Sequence, residues 1–424
     1  MKILMMTNTY KPHVGGVAES VDRLTDACRR KGHRVLVVAP QFPDQPEDEE
    51  DIIRLPAIQN FNGSDFSMSL PAPLQLRKAL DRFQPEIIHT HHPYLLGDTA
   101  LRVAAVRDIP LILTYHTMYE KYTHYVPADS PLLKRFVIEL SVRFTNLCDH
   151  VIAPSQSVAE IIRERGTTAP VSVIPTGVDY DRFSSGDGGR IRRELSLPDD
   201  AWVVGHVGRL APEKNLDFLA QSVAEFLGEH STAHFLVAGD GPSRKSMETI
   251  FLNTTGMGRI HFLGVRQDQD LIDCYHAMDV FAFSSQSETQ GLVLAEAMAA
   301  GVPVVALDGP GVRDVVEDGY NGILLEDRNE AHFADALHDV HALSDAQQKN
   351  RKQSIDETAQ RFSSMKCADD VLQVYDELRA SGHKSDSQEQ DTLDQVVRAV
   401  KREWDIWEKR VSAGIQSVSE SEKE

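Results

Sequence analysis

Short apolar runs alternate with longer segments of mixed polarity along most of this chain. In the first half the runs are KILMMTN, HRVLVVAP, EIIHTHH, PLILTYH, HVIAPS and VSVIPTG. In the second they are WVVGHVGRL, HFLVAGDG, RIHFLGV, DVFAFSS, PVVALDG and GILLE. Their near-continuous Val, Ile and Leu content predicts parallel strands covered on both faces. Strands that alternate with helical segments are the pattern of an α/β fold. Between the two series, SSGDGGRIRRELSLPDD (184–200) breaks the rhythm with glycine and charge and reads as a linker. The expected fold is two doubly wound parallel-sheet domains, 1–184 and 185–362, with ligand held in the cleft between them at the carboxyl ends of the strands. A helix over 363–380 follows. From 381 to 424 a polar linker leads into an amphipathic segment, 392–411, in which Leu393, Val396, Val397, Val400, Trp404, Trp407 and Val411 recur at three- and four-residue steps. Its charges are mixed rather than basic, which favours packing on the body or self-association over a membrane surface.

Charge narrows the function classes. The chain of 424 residues carries a formal net charge of −20, against nucleic acid as a principal partner. That charge is uneven: counted along the sequence, 1–184 comes to −2, 185–380 to −15 and the tail to −3. An anionic surface would therefore be approached by the first half. Four widely spaced cysteines show no metal-ligand spacing and read as buried reduced thiols of a cytosolic protein. The opening MKILMMTNTY reads as a first strand rather than a signal peptide. No run approaches the ~20 apolar residues of a membrane span, so a cytoplasmic location is expected, at most peripheral on a membrane.

Candidate chemistry sits where predicted strands end. No G-x-G-x-x-G or P-loop is present. Gly15 and Gly16 instead close a polar loop before a helix, either to let a ligand approach the backbone or simply to make the turn. GRLAPEKN puts Arg209 and Lys214 on one strand-end loop, where two cations would neutralise a diphosphate and stabilise it as it departs. LVAGDGP places Gly239 and Gly241 around Asp240, for a phosphate or for a tight turn. HTHHP and YHTMYEKYTHYVP supply His91, His92, His116 and His124 without ligand spacing for a metal. Hydrogen bonding to hydroxyls or phosphate is the expected use, with His116 best placed at a strand end.

SETQGLVLAEAMAAG carries Glu288 in a loop and Glu296 about one turn into a helix that begins near Gly291 or Leu292. At 1.5 Å rise per residue the carboxylates are expected roughly 10 Å apart. A glycosidase pair works at about 5–9.5 Å, so the spacing suits the two ends of an extended ligand better than one bond. The N–H groups of Thr289, Gln290, Gly291 and Leu292 would face that ligand. The plainer alternative is a helix-start glutamate and a solvated one.

Together these residues resemble the retaining glycosyltransferases of family 4, whose GT-B fold is two facing Rossmann-like domains. The resemblance covers roughly 1–380 and is most specific in the E-x7-E element Glu288–Glu296, accompanied by GRLAPEKN, AGDGP, the GG loop and GVPVVA. It implies a nucleoside-diphosphate hexose as donor substrate and no metal or other cofactor. It assigns Gly15 and Gly16 to the donor phosphates, and Arg209 and Lys214 to the diphosphate. Glu288 and His116 fall to the hexose, His116 near its 6-hydroxyl, and Glu296 to the ribose. SETQGLVLAEAMAAG and TYHTMYEKYTHYVP are most similar to the branch of UDP-glucose:1,2-diacylglycerol 3-glucosyltransferases; most other branches have phenylalanine where this chain has Gln290. That branch implies UDP-glucose and a lipid acceptor. In 130–150, Leu132, Leu133, Phe136, Val137, Leu140 and Phe144 form an apolar stripe near Lys134, Arg135 and Arg143, a membrane contact or an ordinary core helix. A soluble acceptor (a polyol, sugar acid or glycan) and a silent sugar-nucleotide binder are the competing expectations.

Overall fold

The computed structural model describes residues 1–381 apart from 14, 43, 47–48, 59–67, 70–72 and 121–129, with backbone alone for 58, 68–69 and 73–75. His124 and the 392–411 stripe lie outside the described residues. The chain forms two units, Met1–Thr176 joined by the segment from Cys367, and Gly177–Lys366.

The first unit contains β1 (Lys2–Met6), β2 (Arg34–Pro40), β3 (Ile52–Leu55), a short antiparallel pair β4 (Ala57–Ile58) and β5 (Met68–Ser69), β6 (Ile87–Thr90), β7 (Leu111–Thr114), β8 (His150–Ala153) and β9 (Val171–Val173). Its main sheet has the order β3-β2-β1-β6-β7-β8-β9, all parallel. Along β1 the side chains divide by the period of two: Leu4 and Met6 enter one core cluster, Ile3 and Met5 another on the opposite face. Both faces are thus apolar, which is why the strands read as continuous hydrophobic runs. Each fully buried Leu or Ile contributes roughly 1.5–3 kcal/mol.

The second face of this sheet is closed by the helix Ser364–Ala380, whose Cys367, Val371, Leu372, Val374 and Tyr375 join Ile3, Met5, Cys28 and Val35. Tyr375 reaches through that core, its hydroxyl 2.6 Å from His89 Nδ1.

The second unit contains β10 (Trp202–Val207), β11 (Ala233–Ala238), β12 (Ile260–Gly264), β13 (Val280–Phe283), β14 (Val304–Leu307) and β15 (Gly322–Leu325). Their order is β12-β11-β10-β13-β14-β15, again parallel. Val203 and Phe281 pack on one face with the helix Leu292–Ala299, Val204 and Val280 on the other with the helix Leu216–Glu229. The 184–200 segment is not wholly irregular. Asp187 caps a helix over Gly188–Glu194, and Arg192 ties it to Asp279 at 2.7 Å and to the Ala201 carbonyl at 2.9 Å. It is part of the second unit.

In each sheet the strand order reverses beside the first strand, between β1 and β6 and between β10 and β13. Loops that leave adjacent strands there diverge to opposite faces and open a crevice at the carboxyl ends.

Candidate active site

In the second unit the reversal point joins the loop after β10 to the loop after β13. The first turns through Gly208 and a 3-10 turn, Pro212–Lys214, into the helix Leu216–Glu229. The second, from Ser284, leads into the helix Leu292–Ala299. Buried Ser284 stitches the two: its hydroxyl donates to the Lys214 carbonyl at 2.8 Å and the Asn215 carbonyl at 3.1 Å. Ser287 donates likewise to the Glu213 carbonyl at 3.3 Å. Lys214 and Glu288 are thereby brought together, Nζ to Oε1 at 2.5 Å, with 22% and 17% of their side chains exposed. Arg209 pairs with Glu213 and keeps 51% of its side chain exposed. The four charges sum to zero. A diphosphate entering here would exchange carboxylate partners for phosphate oxygens, and that exchange would free Glu288 for a neutral hydroxylated group.

Behind the pair stands buried His206, whose Nδ1 donates to the Ala282 carbonyl at 3.1 Å. Burial is the main cause that lowers its pKa to about 4, and the Lys214 charge pushes the same way. It is neutral at pH 7.

The two glutamates of SETQGLVLAE have different surroundings. Glu296 lies inside the helix, only 3% exposed, and accepts a 3.0 Å hydrogen bond from the Tyr275 hydroxyl. It is not the solvated helix glutamate of the plainer alternative. Gly291 caps this helix at φ +71, where a side chain would also meet Leu294 Cδ1 at 2.8 Å. Thr289 and Gln290 are pressed against the loop after β14, for a Cβ on Gly311 would lie 2.6 Å from Gln290 N and 2.7 Å from Thr289 C. Gln290 is buried at the start of this helix.

Gly239 and Gly241, after β11, are explained by the fold itself. A Cβ on Gly239 would lie 1.9 Å from the Gly208 carbonyl, and one on Gly241 2.4 Å from the Leu210 carbonyl. Both also have φ near +150. The loops after β10 and β11 meet backbone to backbone, closed by Leu210 N–H to Asp240 O at 2.9 Å and Ser243 N–H to Leu210 O at 2.9 Å.

In the first unit, Gly15 caps the helix Gly16–Arg30 with extended φ, and a Cβ on Gly16 would meet nothing within 4 Å. Packing makes no demand at Gly16, and at Gly15 only the His13 ring, 3.3 Å from such a Cβ, would have to give way. Next to this loop's origin, Asn8 joins β1 to β6: its side chain donates to the Tyr94 carbonyl at 3.0 Å and accepts from Leu96 N–H at 3.1 Å, while its own N–H donates to His92 Nδ1 at 3.1 Å. His89 and His91 are buried and stacked, ring centroids 4.3 Å apart, and His91 Nδ1 lies 2.9 Å from His116 Nε2. Desolvation lowers His89, His92 and His116 to about 3 and His91 well below its ordinary value. These imidazoles are neutral hydrogen-bonding groups. Among the described residues no cluster of His, Cys, Asp and Glu has metal-holding geometry. All four cysteines are free and buried.

Sequence reasoning missed Asn8, His206, Tyr275, Ser284 and Glu213. Asn8, His206, Tyr275 and Ser284 act through partners distant in sequence, whereas Glu213 pairs with Arg209 only four residues away, a spacing the sequence did offer.

Comparison with known proteins agrees with this anatomy. The model described as Glycosyltransferase Family 4 matches residues 14–182, and that of Glycosyl transferases group 1 matches 189–361. An alpha-monoglucosyldiacylglycerol synthase of Streptococcus pneumoniae is 30% identical over 331 residues, spanning 76% of this chain and 75% of that protein. A GDP-mannose-dependent alpha-mannosyltransferase of Mycobacterium tuberculosis is also 30% identical over 331 residues, spanning 77% and 84%. Among solved structures, Anabaena HepE in complex with UDP and glucose has a TM-score of 0.69 at 23% identity, covering 89% of this chain and 99% of that one. Sucrose-phosphate synthase from Thermosynechococcus elongatus has a TM-score of 0.72 at 21% identity, covering 90% and 100%. These structural likenesses identify the two-sheet architecture as GT-B. The chain belongs to glycosyltransferase family 4.

Proposed function

We propose that this glycosyltransferase moves glucose from UDP-glucose to a lipid hydroxyl, diacylglycerol or a relative of it, with retention at the anomeric carbon. The observation that carries the transfer chemistry is the Lys214–Glu288 pair beside Arg209 at the reversal point of the second sheet. Arg209 and Lys214 take the diphosphate and stabilise it as charge builds on departure, so the reaction runs without a metal. Glu288 then holds hexose hydroxyls. Glu296, with one oxygen on Tyr275, holds the ribose. Gly15 and Gly16 admit the phosphates close to the backbone, the N–H groups of Thr289 to Leu292 supply positive dipole ends, and His116 receives a hexose hydroxyl. Because packing accounts for Gly239 and Gly241, their part is to shape the loop that carries Arg209. With the departing phosphate accepting the proton of the incoming hydroxyl, attack from the same face gives retention.

The lipid acceptor is supported by two relatives named alpha-monoglucosyldiacylglycerol synthase, from Streptococcus pneumoniae and Acholeplasma laidlawii. The helix Pro131–Thr145 adds to it: Leu132 is 40% exposed and Leu133, Phe136, Val137 and Leu140 are incompletely covered, beside exposed Lys134, whereas Phe144 of the expected stripe is buried in the core. No described helix is long and apolar enough to cross a membrane. A peripheral contact through 130–150 on the cytoplasmic face is the arrangement we favour. A soluble acceptor is the second reading, favoured by a D-inositol 3-phosphate glycosyltransferase of Stackebrandtia nassauensis, 33% identical over 305 residues.

The test is a donor and acceptor matrix. UDP-glucose should raise the melting temperature more than GDP-mannose does, because tighter donor binding stabilises by mass action. With EDTA present, transfer to diacylglycerol vesicles should give an α-linked product. Greater protection by GDP-mannose, or transfer only to inositol phosphate, would replace the donor or the acceptor respectively.

A further inference from the structure

The histidines of the first unit carry information about proton placement. Met5 Sδ lies 3.4 Å from His91 Nε2, and a thioether sulfur accepts hydrogen bonds but cannot donate one. Buried, neutral His91 has a single ring proton, and placing it on Nε2 satisfies that contact. Nδ1 is then a bare acceptor, so the 2.9 Å contact with His116 requires the proton on His116 Nε2. The reverse assignment would leave His91 Nε2 and Met5 Sδ as two buried acceptors facing each other, which loses a hydrogen bond and costs desolvation. His92 holds the same tautomer for an independent reason: its Nδ1 accepts from the Asn8 backbone N–H, so its proton is on Nε2.

We propose that Met5 and His91 lock His116 in the Nε2–H tautomer, making its Nδ1 an obligate hydrogen-bond acceptor. His91 is then a positioning residue that selects for a ligand group able to donate a proton, a sugar hydroxyl rather than a carboxylate or phosphate oxygen. This consequence rests on the reading that His116 meets the hexose; the tautomer itself does not.

The test uses the full chain labelled with 15N-histidine. Long-range nitrogen–proton correlation at pH 7.5 should show His91 and His116 each with a pyrrole-type Nε2 and a pyridine-type Nδ1. His91→Asn, whose Oδ1 replaces the Nδ1 acceptor, should keep the His116 pattern. His91→Leu should shift it toward the other tautomer. A pyrrole-type Nδ1 on wild-type His116, or a pattern indifferent to His91→Leu in a folded variant, would overturn the lock. In a second arm, donors carry hydrogen or fluorine in place of one hexose hydroxyl at a time. At the hydroxyl that His116 receives, both replacements should lower kcat/KM about tenfold in wild type and in His91→Asn, because fluorine cannot donate. A fluorine tolerated at every position that rejects hydrogen would mean that His116 donates, against the lock. If the tautomer stands but no single hydroxyl responds to His91→Leu, the hexose assignment of His116 fails while the lock remains.

Discussion

The two reversal points use opposite electrostatics. In the second unit the crevice is built from charges, with Lys214 and Glu288 in contact and Arg209 half exposed. In the first it is built from glycine backbone and from imidazoles whose burial keeps them neutral. Doubly wound sheets present loops in the same place in both units, so topology alone does not produce this difference. Charged groups suit a diphosphate leaving group, whose charge changes during reaction. Neutral donors and acceptors suit hydroxyls, which must be oriented but not neutralised. Under the proposed function, one unit would serve the charge that develops and the other shape and hydrogen-bond direction.

The largest effect is expected at the charged crevice. Glu288→Gln should lower turnover by about 10²–10³, the range for removing one electrostatic stabiliser, while the melting temperature stays close to wild type. His116→Ala should cost less. The opposite ranking in steady-state kinetics would break the comparison. Next come the glycines. Gly239→Ala drives a Cβ into the Gly208 carbonyl and should destabilise by about 1–3 kcal/mol or more in chemical denaturation. Gly16→Ala meets open space, so stability should change by under about 1 kcal/mol while KM for the donor rises. Equal stability losses at the two would show that both loops are glycine-rich for packing.

Acid should separate the units more gently. Buried His89 has its folded pKa depressed to about 3 against roughly 6.5 unfolded, so the unfolded chain takes up the proton first. Its stabilising contribution is present in full above pH 6.5 and is lost as pH falls toward 3, at up to about 1.4 kcal/mol per pH unit. His91 and His92 act in the same direction; in the second unit His206 is lowered to about 4, and buried His234 is lowered without so large a shift. Hydrogen exchange followed by mass spectrometry should show protection falling first in β1, β6 and β7 between pH 6.5 and 5. Earlier loss in β10 and β13 would contradict this.

Much of the fold was legible because strands buried on both faces leave unbroken apolar runs. β3 escaped because it is only IIRL, its pattern interrupted by Arg54, which is turned to pair with Glu49 at 2.6 Å. The C-terminal helix was readable as a helix, but its place against β1 depends on contacts across most of the chain, such as Tyr375 with His89. Near the second reversal point, Arg209, Lys214 and Glu288 could be named from the sequence as charges at strand ends, but their pairing with Glu213 and with each other could not. The burial of Glu296 was not, since its partner Tyr275 comes from the preceding helix. LVAGDGP showed the limit from the other side, because glycines required by a neighbouring backbone look the same in sequence as glycines left open for a ligand.

Whether the second unit's cations hold the donor diphosphate is read out by calorimetric titration of UDP into wild type and Lys214→Ala. Loss of a charge-assisted hydrogen bond should weaken UDP binding by about tenfold to a hundredfold with the fold intact. Unchanged affinity in a folded Lys214→Ala protein would mean that Lys214 does not hold the diphosphate.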